Sequence, residues 1–160
     1  MIHIGNVDDV ITPELIEICT ERANNFKTRG RDIDRIVYNT VIGEAVELLV
    51  CRYFNLHQVD FDIMEYDAID KNGIRYEIKH TNKNEKWWNY NNDNYSYFLA
   101  NAFKLDYIVL CYHDKNDGTV YLKFKADAIS FNDFSSVSKF NNNHYYNFDI
   151  ANRNNCCIIY

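Results

Sequence analysis

The sequence has no excess of positive charge, and this absence limits how the protein can bind its partners. Its 160 residues include 17 Lys and Arg against 23 Asp and Glu, which gives a formal net charge of -6 at pH 7. Proteins that bind nucleic acid through their overall charge are usually basic. That binding mode is disfavoured here, whereas an enzyme whose acids hold Mg²⁺ and whose basic residues are clustered locally remains open.

The sequence also lacks the cysteine patterns of secreted and zinc-binding proteins. Its five cysteines are an odd number without a CxxC pair, and its five histidines are scattered. No signal-peptide segment is recognisable, and no apolar run approaches the ~20 residues that span a bilayer. We expect reduced thiols, no zinc site, no membrane contact and a cytoplasmic location, in the host cell if the gene belongs to a phage.

Proline is nearly absent, while aromatic residues are abundant. The chain has one Pro against thirteen Tyr and ten Phe, and it is rich in Asn. An AT-rich genome would produce this bias, and a phage or mobile element is one source among several. The hydrophobic content of 47% is that of a globular protein, and the length suits a single domain over residues 1–160.

Two helices are predicted in the first third of the chain. Thr12 at the cap and Pro13 at the first helical position predict a helix over residues 13–28. A second helix is predicted from residue 32 or 34 to about residue 54, because its apolar residues recur with helical spacing.

Glu44 lies in the middle of the apolar face of the second predicted helix. At 100° per residue, Val37, Val41 and Leu48 surround it within a narrow arc. A buried carboxylate is costly unless it is compensated, so Glu44 requires a cation, a hydrogen-bond network or a cavity. The alternative is a helix rotated so that Glu44 reaches a rim, or a pairing with a nearby Arg or Lys. Glu47, at the edge of this face, is predicted to be an ordinary solvated residue.

A β-hairpin is predicted at Asn72-Gly73, because both residues accept a positive φ. A three-residue loop ending at Gly73 places Asp67 opposite Glu77. Since side chains alternate along a strand, Lys79 lies on the same face as Glu77. Like charges that face each other destabilise a sheet, so this pairing requires a positive group, either Lys79 itself or a divalent cation.

Asp67, followed after nine residues by Glu77-Ile78-Lys79, resembles the core motif of the PD-(D/E)XK nuclease superfamily. Tyr66 stands where the motif's name has proline, which many members also lack. In many of these families a preceding helix carries a glutamate that points at the metal, in a stretch similar to residues 42–45 of this chain. The resemblance implies an α/β fold with a restriction-endonuclease-like core, in which a central mixed β-sheet is flanked by helices.

The same resemblance implies a metal-dependent deoxyribonuclease with named site residues. Asp67 would be the central metal ligand and Glu77 the second, with the carbonyl of Ile78 nearby. Glu44 would complete or shape the site, and Lys79 would orient the attacking water or stabilise the transition state. Oxygen ligands of this kind suit Mg²⁺, with Mn²⁺ as a substitute.

The scarcity of glutamine in the sequence bears on the type of nuclease that the resemblance implies. Gln58 is its single glutamine, so the glutamine-containing motif of exonuclease-like branches is absent after the lysine. The resemblance then favours a DNA endonuclease of restriction, nicking or junction-resolving type. Such proteins usually dimerise to cut two strands, so DNA and a second copy of the chain are the expected partners.

Residues 82–94 are predicted to be an irregular loop that contacts nucleic acid. Lys83 and Lys86 would meet phosphates, while Trp87 and Trp88 would stack on bases. In the alternative interpretation, the two tryptophans cover the edge of the core and the asparagines form turns.

The rest of the chain is predicted to add further elements of a mixed sheet. These are a strand over 59–64, a helix over 97–104, a strand over 106–112, a turn at 114–118, a strand over 119–125, a helical turn at 126–129, a loop over 130–143 and a strand over 156–160.

Two other functions remain open. The chain could be a nucleic-acid- or protein-binding module that retains the fold without catalysis, in which case Lys79 merely bridges Asp67 and Glu77. It could also be an unrelated small α/β protein that binds a partner through its tyrosine-rich surface.

Overall fold

The computed structural model describes residues 1–25, 32–60, 66–84 and 105–128 in full, together with the backbone of four further strands. The helices are α1 (Pro13–Asn25), α2 (Ile33–Phe54) and a 3-10 turn at Val7–Asp9. The strands are β1 (Ile2–Asn6), β2 (His57–Gln58), β3 (Ala68–Ile69), β4 (Arg75–Thr81), β5 (Trp87–Asn91), β6 (Tyr107–His113), β7 (Thr119–Asp127), β8 (Ser136–Phe140), β9 (Asn143–Asp149) and β10 (Cys157–Ile159).

The two helices begin where their capping residues predict. The Thr12 hydroxyl accepts a hydrogen bond from the Leu15 N–H at 3.2 Å, and the Asp32 carboxylate accepts one from the Asp34 N–H at 3.0 Å. Asn55 ends α2 in the left-handed conformation, with φ of 55°. Both predicted helices are therefore confirmed, except that residues 26–28 lie outside the described residues.

The main sheet has the order β1-β7-β6-β4-β3-β2 in the described part of the chain, and β10 also pairs with β7. The β4–β6 pair is parallel, and the other pairs are antiparallel. The fold is thus α/β with a mixed sheet. Residues of α2, β4, β6 and β7 share one core, which includes Val46, Leu49, Val50, Ile78, Val109, Cys111, Val120 and Leu122.

The predicted strands of the second half are confirmed at the centre of this sheet. In β6 four consecutive residues are buried, as expected for a strand that is covered on both faces. The turn after it closes through a hydrogen bond from the Asp114 N–H to the Thr119 carbonyl at 2.9 Å. The strand β7 then continues to Asp127, so the predicted helical turn at 126–129 is wrong for its first two residues.

The hairpin has the predicted register. Ala68 pairs with Tyr76 and Ile69 with Arg75, so the next position outward places Asp67 opposite Glu77. Gly73 occupies the turn with φ of +83°. The turn chemistry of the sequence therefore fixes which acidic residues face each other.

Several strands were not predicted or lie where a loop was expected. The strand β5 falls within the segment predicted to be irregular, and β8 falls within the loop predicted over 130–143. Both pair with β9 in a separate antiparallel sheet, which shows that backbone pairing with a neighbouring strand can override a polar, non-alternating sequence. The prediction also omitted β1, which pairs with β7.

Two further predictions can be compared only in part. Of the strand expected over 59–64, residues 59 and 60 are not in a strand, because β2 ends at Gln58, and residues 61–64 lie outside the described residues. The helix expected over 97–104 also lies outside them. Of the residues that the structure describes, none form a helix long and apolar enough to cross a membrane.

We predict that Gly73→Ala destabilises the protein by about 1 kcal/mol, because a side chain at positive φ is strained. A Cβ at this position would meet no atom within 4 Å, so the cost is conformational rather than steric. Urea unfolding measures the change, with the exposed loop residue Lys71→Ala as the control. Equal stability of the two variants would contradict the left-handed turn.

Candidate functional site

The site lies where β4 extends beyond its short partner β3. Only Arg75 and Tyr76 of β4 pair with β3, so among the described residues no strand pairs with Ile78 on that side. The Asp67 carboxylate takes this place, and its Oδ2 accepts a hydrogen bond from the Ile78 N–H at 2.6 Å. A side chain thus satisfies a backbone group that the sheet leaves unpaired.

The Lys79 ammonium is surrounded by three oxygens. Its Nζ lies 2.5 Å from Glu77 Oε1, 3.3 Å from Asp67 Oδ2 and 3.1 Å from the Ile78 carbonyl oxygen. The Glu77 and Asp67 side chains are 10% and 22% exposed, whereas that of Lys79 is 34% exposed. The cation therefore reaches two largely buried carboxylates from the solvent side.

Burial of the Glu77 side chain raises the free energy of its ionised form. Burial raises the pKa of Glu77, the positive charge of Lys79 lowers it, and the negative charge of Asp67 raises it. The ion pair with Lys79 offsets part of this cost. The positive group that the hairpin register requires is, in this structure, the lysine.

Glu44 is buried, at 8% exposure, on the face of α2 that the periodicity indicated. Its Oε1 lies 3.2 Å from Arg22 Nη1, and its Oε2 accepts a hydrogen bond from Gln58 Nε2 at 2.9 Å. Burial raises its pKa, Arg22 lowers it, and the charge of Asp67 raises it. Glu44 thus has the Arg partner and the hydrogen-bond network that the sequence left as alternatives, and it lies within electrostatic range of Asp67.

The prediction that Glu47 is an ordinary solvated residue is wrong. Glu47 is only partly exposed, and its Oε2 accepts a hydrogen bond from Gln58 Nε2 at 3.3 Å. Burial raises the pKa of Glu47 to about 9, with further contributions from the charges of Asp67 and Glu44. The helical periodicity did not predict this burial, because Glu47 lies at the edge of the apolar face. Gln58, from the segment that follows α2, contacts that edge.

The four carboxylates of this region exceed its described cationic partners. Glu44, Glu47, Asp67 and Glu77 carry four formal negative charges, whereas Arg22 and Lys79 supply two positive ones. The formal excess of two negative charges equals the charge of one divalent cation. Without such a cation, the raised pKa of Glu47 relieves part of the repulsion by keeping a proton on its carboxyl group.

The donor atoms fit a magnesium-type site of few protein ligands. Within the described ranges, no group of three or more His, Cys, Asp or Glu side chains is placed to hold a metal ion. Magnesium usually keeps several waters, however, and takes only one or two carboxylates. Asp67, Glu77 and the Ile78 carbonyl match that pattern, because their oxygens already surround one cation.

The structure describes only part of the predicted nucleic-acid contact. Lys83 is exposed just beyond β4, and its N–H donates to the Thr81 hydroxyl at 3.2 Å. Lys86 lies outside the described residues, and Trp87 and Trp88 are described by backbone alone, in β5. Their predicted role in binding nucleic acid stays a prediction.

Three residues of the site were missed by the sequence analysis as contributors. Arg22 and Gln58 contact Glu44 from distant parts of the chain, and no local pattern indicates such pairs. Glu47 did carry a signal, since residues three apart on a helix are neighbours and Glu44 was already expected to be buried.

A comparison with models of known protein families matches none of them, and no curated protein sequence is significantly similar to this chain.

We predict that Glu47→Gln stabilises the metal-free protein increasingly as pH rises. A carboxyl whose pKa is raised to about 9 on folding stabilises the fold below its unfolded pKa of 4.5, and this contribution is lost as pH rises towards 9. Thermal unfolding in EDTA at pH 5.5 and 8.5 measures the effect. The Tm of the variant should be a few degrees above that of the wild type at pH 8.5, and the difference should be smaller at pH 5.5.

Glu14→Gln, on the exposed first turn of α1, is the control for this comparison. A difference between the Glu47 variant and the wild type that does not change with pH would show that Glu47 ionises freely.

Proposed function

We propose that the protein is a Mg²⁺-dependent DNA endonuclease with a restriction-endonuclease-like core. The observation that carries the proposal is the set of three oxygens, from Asp67, Glu77 and the Ile78 carbonyl, that surround the Lys79 ammonium. The same four residues carry the sequence resemblance, and their convergence on one point is what a cation site of this type requires.

The arrangement of the elements supports the proposed core. A long helix, α2, precedes the β3–β4 hairpin, and β4 then pairs in parallel with β6, which pairs antiparallel with β7. Parallel neighbours require a crossover connection, here through residues 82–106. This order is compatible with the α-β-β-β-α-β core that the resemblance implies.

Each residue of the proposed site has its own role in the reaction. Asp67, Glu77 and the Ile78 carbonyl would hold the Mg²⁺ ion, and Glu44 would add negative charge from the helix side. Bound Mg²⁺ supplies charge neutralisation at the phosphate and activates a water molecule. Lys79, partly exposed and beside both acids, would then orient that water or stabilise the developing negative charge.

DNA would be bound locally rather than through overall charge. Lys83 is exposed two residues beyond the end of β4, the strand that carries Glu77 and Lys79. Together with Lys86, Trp87 and Trp88, which follow it in the sequence, it would provide basic and aromatic contacts to DNA. Cleavage of both strands would require two such sites, which a homodimer supplies.

A second candidate function rests on the ion pairs themselves. Lys79 already bridges Asp67 and Glu77, so the acids can be read as structural. The protein would then be a non-catalytic module that binds nucleic acid or another protein. The response to Mg²⁺ distinguishes the two functions.

We predict that the wild type nicks or linearises supercoiled plasmid with Mg²⁺ or Mn²⁺, and that Asp67→Ala lowers the rate by about a hundredfold or more. Loss of the central ligand should remove metal-dependent cleavage. Agarose electrophoresis of a time course measures the rate, and single-stranded DNA and RNA are assayed in parallel.

Asp60→Ala, which removes an exposed acid seven residues before Asp67, is the matched control and should retain activity. Cleavage that persists in Asp67→Ala would contradict the site assignment. Absence of cleavage of every nucleic acid by the wild type would favour the binding module.

We predict that Lys79→Met destabilises the protein in EDTA and that millimolar Mg²⁺ stabilises this variant more than the wild type. Without the lysine, the buried Glu77 loses its cation, and the metal no longer has to displace an ammonium group. A ligand at a hundred times its Kd stabilises the folded state by roughly 2.7 kcal/mol. Thermal unfolding with and without Mg²⁺ measures the effect.

Lys71→Met, at the exposed hairpin loop, is the control for this experiment. If Mg²⁺ changes the stability of neither the wild type nor Lys79→Met, the three oxygens do not form a metal site.

A further inference from the structure

The side chain of Gln58 joins the two glutamates of α2. Its Nε2 donates to Glu44 Oε2 at 2.9 Å and lies 3.3 Å from Glu47 Oε2. A side-chain amide nitrogen carries two hydrogens, so it can donate one to each carboxylate. Gln58 therefore keeps the two carboxyl groups side by side.

The backbone of Gln58 is fixed to the strand end that carries Asp67. Gln58 pairs with Ala68 in the β2–β3 ladder, and the N–H of Val59 donates to the Asp67 carbonyl at 3.1 Å. Since the same residue contacts α2 through its side chain, it connects the helix glutamates to the hairpin acids. Gln58 is thus one of the links that hold the helix glutamates and the hairpin acids in place.

Gln58 is uncharged, and this affects how it can hold Glu44 and Glu47. The charge of Asp67 disfavours the ionised forms of Glu44 and Glu47, because like charges repel. Arg22 also holds Glu44, but it does so with a positive charge that offsets the carboxylate. An amide holds both glutamates by hydrogen bonds alone and leaves their negative charge available to a divalent cation.

We propose that Gln58 is a positioning residue of the candidate metal site, which holds Glu44 and Glu47 towards Asp67 and thereby sets the affinity for a divalent cation. This inference rests on the proposed function, because it assumes that the acids hold a metal. Residues that orient metal-facing carboxylates typically change metal affinity or activity 10–100-fold when they are replaced.

The test compares Mn²⁺ binding by the wild type and by Gln58→Met in the full chain, using calorimetry or the electron paramagnetic resonance signal of free Mn²⁺. Methionine keeps the length and approximate volume of the side chain but cannot donate a hydrogen bond. We expect the dissociation constant to rise by about 10-fold or more. His57→Ala, at the exposed neighbouring position of β2, is the matched control and should bind as the wild type does.

A second measurement separates positioning from a general loss of structure. The Mg²⁺ concentration for half-maximal cleavage should rise in Gln58→Met, while the rate at saturating Mg²⁺ stays within a few-fold of the wild type. A purely structural role would instead lower the amount of active enzyme without shifting the Mg²⁺ dependence. If the methionine variant does not fold, Gln58→Asn, which keeps an amide with a shorter reach, is measured in the same way.

A folded Gln58 variant that binds Mn²⁺ with wild-type affinity would overturn the role of Gln58 and leave the proposed function standing. A wild type that binds no Mn²⁺ would overturn the proposed function, and the inference with it.

Discussion

The structure of this site depends on the repulsion between acidic side chains that the hairpin register forces together. Asp67 and Glu77 face each other because the turn at Gly73 sets the pairing of the two strands. The two side chains can be moved apart only by a change in that register. Both carboxylates are largely buried, so water screens them poorly. A cation between them therefore stabilises this arrangement, and the protein supplies one as the Lys79 ammonium.

The helix side of the site follows the same constraint with different partners. Glu44 is compensated by Arg22 from α1 and by Gln58 from β2, so one carboxylate connects three elements. Glu47 lacks a comparable described ion pair, and its pKa is raised to about 9. In the described structure, Arg22 is the one basic partner of the two helix glutamates, and Lys79 is the one basic partner of the two hairpin acids. The four acids together therefore keep an excess of negative charge. This residual negative charge supports the proposed divalent cation.

Local chemistry explains which parts of the fold and site the sequence predicts. The hairpin follows from turn residues, the helices from their caps, and the burial of Glu44 from helical periodicity. The strands β5 and β8 were missed because their backbone hydrogen bonds come from β9, which no local pattern reveals. Gln58 and Arg22 were missed for the same reason, since both reach Glu44 across large separations in sequence.

The separation of the site residues along the chain has a consequence for folding order. Asp67, Glu77 and Lys79 lie within one hairpin, and closing so short a segment costs little chain entropy. The contacts of Glu44 instead join residues 22 and 44 and residues 44 and 58, and they require the helices and β2 to dock first. Contacts between near neighbours tend to form faster than those between distant ones. The oxygens around Lys79 would thus come together before the helix glutamates join them, so the hairpin part of the proposed site forms ahead of its helix part.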